Sequence, residues 1–216
     1  METNRSPMMH RFVTFSATLG WATLSLQLYL TTAARLANGK GVIDSLIFYF
    51  SFYTILTNIL VALALTLPLL RARSRFAEFF SRPTVNTGIA ASIAAVLLGY
   101  NLLLRHVWDP QGMQLVADEL LHVGMPLLFL LYWWLAVPKR LLRWADVLRW
   151  TLYPLLYAVY ALIHGALSGV YAYPFIDVGQ LGYARVFLNS MGLLLAFIVI
   201  ALLLIAVGRL KDPARI

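Results

Sequence analysis

Residues 185–208 read RVFLNSMGLLLAFIVIALLLIAVG, and the last eighteen of them, from Met191, carry no charged or strongly polar side chain. An apolar run of about 20 residues spans the hydrocarbon core of a bilayer as a helix. Lipid offers no partner for a free backbone N–H or C=O, so such a run must close its hydrogen bonds internally. Working back toward the N-terminus, comparable runs lie at about 150–169, 117–137, 86–104, 46–70 and 12–33. The expectation is an all-α polytopic membrane protein, a bundle of six transmembrane helices forming a single domain over residues 1–216. The short alternating segments of a membrane barrel are absent. The first run follows Arg5 and Arg11 and, at roughly 20 residues, is too long for the core of a signal peptide, so it is expected to be a retained span.

Composition agrees. Of the 216 residues, 61% are hydrophobic and 12% charged, whereas a soluble domain is nearer a quarter charged. The net charge is +8. No nucleic-acid motif accompanies it, so nucleic acid is not an expected partner. The basic residues lie between the apolar runs, where they act as topology signals and contacts to anionic headgroups. Of the 17 Lys and Arg, thirteen fall in the two tails and the second and fourth connections. Only Arg35, Lys40, Arg105 and Arg185 fall on the other side. The positive-inside rule then places both termini in the cytoplasm. Trp133, Trp134, Trp144, Trp150, Tyr171 and Tyr173 cluster at run edges, as interfacial aromatics do. Cysteine is absent, which excludes disulfides, thiolate metal sites and cysteine nucleophiles.

Polar residues inside spans are costly and therefore informative. In the second run Ser51, Thr54 and Asn58 are spaced to share one helix face, with Thr54 roughly 12 Å below the outer end. The fourth run opens with Asp118, Glu119 and His122, both carboxylates within one turn of the histidine. The third run ends in Tyr100, Asn101 and Arg105. His164 and Ser168 share a face of the fifth, and Arg185 and Asn189 of the sixth. These groups converge on the outer half, which suggests a polar pocket with an apolar wall. Taken singly, each has a blander role: Ser, Thr and Asn often bond a neighbouring helix, and Arg35 and Lys40 are expected in solvent. After the fifth run comes a Gly- and Pro-broken, aromatic segment ending at Asp177, expected to fold over the pocket as a lid.

Three sets of residues together carry a family likeness. They are Tyr53-Thr54 through Asn58; His122 with Pro126; and His164-Gly165, Gly169, Tyr171-Ala172-Tyr173-Pro174-Phe175 and Asp177. In span order they resemble the androgen-induced-gene, or FAR-type, family of membrane proteins and its bacterial six-span relatives. Animal members are hydrolases that cleave fatty acid esters of hydroxy fatty acids with a membrane-embedded threonine and a histidine. The resemblance implies Thr54 as nucleophile and His122 as the histidine. Two positions depart from the pattern: Thr57 stands where those members have an aspartate, and Pro126 lies one place closer to the histidine.

The chemistry is coherent on its own terms. A threonine hydroxyl needs a base to take its proton, and a neutral imidazole at His122 can do so. Asp118 or Glu119 can orient the ring. Asn58, Asn189 and Arg105 are candidates to hold the developing oxyanion, with His164, Asp177 and Arg185 as further polar groups of the pocket. The expected substrate is a lipid-like acyl ester, with no cofactor and no metal. Competing readings are a non-catalytic lipid- or amphiphile-binding protein, a small transporter, haem held by His122 and His164, and zinc held by the same histidines and a carboxylate.

Overall fold

The computed structural model of the chain describes residues 7–70 and 74–211, and among them it is all-α with no strand. The α-helices are α1 Pro7–Ala37, α2 Val42–Phe50, α3 Tyr53–Thr66, α4 Arg75–Ser81, α5 Pro83–Gly99, α6 Met113–Glu119, α7 Met125–Ala136, α8 Asp146–Trp150, α9 Leu152–Ser168 and α10 Val178–Lys211. One π-helical turn, Tyr100–Leu104, continues α5, and another, Leu120–Gly124, joins α6 to α7. Among the described residues, four helical stretches are long and apolar enough to cross a membrane: Pro83–Leu104, Met113–Ala136, Asp146–Ser168 and Val178–Lys211, the last kinked near its start at Gly182, whose φ is 72°. The pair α2 and α3 makes a fifth if it is counted as one span bent by 77°. α1 has the length, at 31 residues, but Thr14, Ser16, Thr18, Thr23, Ser25, Gln27, Thr31 and Thr32 make it less apolar.

α1 packs along α3, α3 on α5, and α5 on both α7 and α10. Small residues make these approaches possible. Ala62, Ala64, Ala90 and Ala91 are fully buried, and a Cβ on Gly88 would come within 2.7 Å of the Trp150 ring. This is how membrane helices gain contact when the surroundings are as apolar as the side chains. Val13, Val61, Leu65, Ile93, Met125 and Phe129 fill the centre. The outer faces are equally apolar: Leu155, Leu156, Val159 and Ile163 of α9 and Phe187, Leu195 and Leu203 of α10 are exposed.

The continuous span expected at 46–70 is broken. Ser51 caps α2, its hydroxyl and its N–H both donating to the Phe48 carbonyl, and Phe52 turns extended. Ser51 therefore lies outside the face shared by Thr54 and Asn58, and Thr54 stands in the first turn of α3 rather than two turns down a straight helix. No proline or glycine marks the break; the serine hydroxyl competes for the backbone instead. The carbonyls freed by it are met from α9, where Tyr157 donates to Ser51 O at 2.9 Å and Tyr160 to Phe50 O at 3.4 Å.

At the far end of α7, Lys139 is buried, and its Nζ donates to the carbonyls of Trp133 (2.6 Å), Trp134 (2.8 Å) and Val137 (2.6 Å). A cation thus caps the negative end of a helix dipole. Its stem lies against Gly208, where a Cβ would come within 2.9 Å of the lysine chain.

Candidate active site

The break sets Thr54 at the N-terminus of α3, where the first N–H groups of a helix have no intrahelical carbonyl. The Thr54 N–H is taken by the hydroxyl of Tyr173, 3.2 Å away. Thr54 Oγ1 lies 3.2 Å from His122 Nε2 and 3.2 Å from the Tyr173 hydroxyl. The other histidine nitrogen, Nδ1, is 2.9 Å from the backbone carbonyl of Asp118 and 3.2 Å from Asp118 Oδ1. A carbonyl only accepts, so Nδ1 carries the proton and donates. In the neutral ring, Nε2 then turns its lone pair to the threonine hydroxyl. A hydroxyl, an imidazole and a carboxylate stand in line, the geometry that a catalytic triad requires.

Two rings at the site come from π-helical turns, which recur at functional sites. Tyr100 opens one and His122 lies in the other, and their rings stack at 4.2 Å and 15°. Asn58 locks the two helices together. Its amide N–H groups donate to Thr54 O at 2.9 Å and, across the interface, to Leu121 O at 3.1 Å.

A cavity of about 550 Å³ opens on this group. Thr54, Asp118, His122 and Tyr173 form one polar region of its lining, while Leu30, Phe48, Phe52, Ile55, Leu104 and Leu121 make much of the rest apolar. A largely apolar pocket with a few convergent polar groups is the usual form of a small-molecule site.

The other expected site residues fall elsewhere. Asn58 is buried beside the site, but its donors are committed to carbonyls and are not free for an oxyanion. Glu119 pairs with Arg105 at 2.7 Å, away from the histidine. Arg105 also bonds Asn101 and lies over the Tyr100 ring. Asn189 donates to Phe175 O and Asp177 accepts from the Gln180 backbone, so both shape the loop before α10. Arg185 is exposed on α10. His164 does not line the cavity, and among the described residues its buried Nδ1 has no hydrogen-bond partner. Among the described residues no three of His, Asp and Glu gather to hold a metal ion, so the two histidines and a carboxylate proposed for zinc are not brought together.

No protein-family model matches the sequence, and no curated protein and no solved structure matches it either.

Sequence reasoning named Thr54, His122 and Asp118. It placed Tyr173 in a loop folding back over the pocket but gave it no contact with the threonine. The loop is held there by Gly165, where a Cβ would meet the Tyr171 ring at 2.1 Å, and by the left-handed Gly169 (φ 71°) that ends α9. The Tyr171-Ala172-Tyr173 alternation was the available signal: two rings two residues apart, one wedged on a helix and the other turned into the site.

Proposed function

We propose that the protein is an integral membrane hydrolase that cleaves a lipid-like acyl ester, with Thr54 as nucleophile and His122 as general base. The observation that carries this reading is the 3.2 Å contact between Thr54 Oγ1 and Nε2 of a histidine anchored through Nδ1 on Asp118. In the first half-reaction Nε2 takes the hydroxyl proton as Oγ1 bonds to the ester carbonyl carbon. The positive end of α3 and the Tyr173 hydroxyl are the nearest donors for the resulting oxyanion. Collapse expels the alcohol, which receives the proton from Nε2. Water then gives its proton to the same nitrogen, attacks the acyl-threonine, and releases the carboxylic acid with Thr54 restored. The order of Thr54, His122 and the His164–Asp177 segment along the chain, which resembles the FAR-type family, supports the same assignment.

The exposed apolar faces of α9 and α10 favour lipid around the bundle. Counting α1 and the bent α2–α3 pair as spans gives six. Both termini then lie on the Lys- and Arg-rich cytoplasmic side, and the cavity faces the other. The cysteine-free chain makes this readily testable. A cysteine at Lys40 is expected to react with an impermeant maleimide added outside intact cells, and one at Arg140 only after permeabilisation. The reverse pattern would invert the topology.

The chemistry is tested on detergent-purified protein with a fluorophosphonate probe and a panel of long-chain esters. An adduct mapped by mass spectrometry to Thr54, with hydrolysis lost in step with labelling, supports the reading. No adduct and no ester turned over sinks it.

A further inference from the structure

One face of α1 is polar where it borders the cavity. Gln27, Thr31 and Arg35, four residues apart, all line it, over roughly 12 Å of helix. The first two are tied up internally: Gln27 donates to Thr31 Oγ1 at 3.0 Å and accepts from Gln114 of α6 at 2.9 Å. Arg35 is not. Among the described residues no hydrogen-bond acceptor or carboxylate meets its guanidinium, and Nε is buried without a partner. Its contact is the Phe48 ring, 4.3 Å from Cζ. The other cations of the outer connections are differently placed: Arg105 is held by Glu119, and Lys40 and Arg185 are exposed. The nearby carboxylate of Asp44 accepts from the Gly41 N–H at the start of α2. Arg35 is the one Lys or Arg among the described residues of the cavity wall.

A guanidinium stacked on an aromatic ring, with its two Nη groups unpaired among the described residues, is built for an oxyanion, which it grips end-on through two parallel hydrogen bonds. We propose that Arg35 makes this wall of the cavity an anion subsite, so that the amphiphile taken by the pocket carries a carboxylate or a phosphate at its head. The inference names the head group of the ester assigned above and rests on that reading for its cleavage step, while the binding step rests on Arg35 itself. Arg35 is then a specificity-determining residue, remote from bond breaking, that orients the ester by its charged end.

The test measures binding by thermal stabilisation of the full chain in a non-ionic detergent, using hexadecanoate, hexadecyl phosphate and the neutral hexadecanol. Wild type is expected to bind at least one anion roughly ten-fold or more tighter than the alcohol. Which anion wins identifies the source of the charge. Arg35→Met is expected to erase the preference while leaving hexadecanol binding unchanged, and Arg35→Lys to restore part of it. Thr54→Ala is expected to keep the preference. An Arg35-dependent preference in a protein that hydrolyses no ester would overturn the hydrolase and leave the anion subsite standing. Equal binding of the charged and neutral probes by wild type, or an equal loss of both in Arg35→Met, overturns the subsite.

Discussion

Thr54→Ala is expected to lower ester turnover by at least about 10³-fold while the chain stays folded. The fold should tolerate the change because the contacts that place residue 54 are made by its backbone. Its N–H meets Tyr173 and its carbonyl meets Asn58, and both survive in alanine. Thr54→Ser keeps the hydroxyl and should keep turnover within roughly ten-fold. His122→Ala removes the base and should match Thr54→Ala, because residues acting as one unit are not additive. Asp118→Asn is the informative variant. In a triad whose acid alone fixes the histidine tautomer, losing the carboxylate costs about 10⁴-fold. Here the Asp118 backbone carbonyl also holds Nδ1–H, so the loss should be milder, roughly ten- to a hundred-fold. Steady-state kinetics on one long-chain ester, with the melting temperature of each variant alongside, decides it. Full turnover in Thr54→Ala would remove the threonine from the mechanism.

Lys139→Met is expected to be the most damaging substitution for stability. The methionine keeps the stem's bulk against Gly208 but strips donors from the carbonyls of Trp133, Trp134 and Val137. Trp133 O keeps the Val137 N–H and Trp134 O keeps Lys211, so among the described residues Val137 O is the acceptor left without a partner, which costs about 1–3 kcal/mol. The cost should appear as a drop in thermal midpoint in detergent. An unchanged midpoint would show that the Lys139 ammonium does not hold this end of α7.

The helical class was legible because apolar runs of this length have few ways to satisfy their backbone. A histidine and a carboxylate inside an apolar run stand out by rarity, but a threonine there does not: Thr54 was joined to His122 by the family resemblance, and their contact is not contained in the sequence. The break at Ser51 was not legible. It depends on Tyr157 and Tyr160, more than a hundred residues away, arriving to cover the freed carbonyls, and no local rule contains them. Arg35 misled for a related reason. Near the end of a span an arginine is expected in water, but folding α2 back brings Phe48 beneath its guanidinium. Lys139 likewise reads as one more cytoplasmic charge until the end of α7 is seen to close over it.

The two π-helical turns bear on how this site can be lost. A π turn holds one residue more than an α turn, so each behaves as a single-residue insertion carried within a helix. Removing one residue from Leu120–Gly124 would let α6 run into α7 as ordinary helix, with better backbone hydrogen bonds. The helices on either side would stay in phase, because the π turn already absorbs the extra residue, so Met125 and Phe129 would keep the core while the residues of the turn itself, His122 among them, would no longer be presented to Thr54. A shortened chain of this kind would be a sturdier bundle with an empty pocket. The contact between Thr54 and His122 therefore depends on one extra residue in a helical turn as much as on which side chains are present.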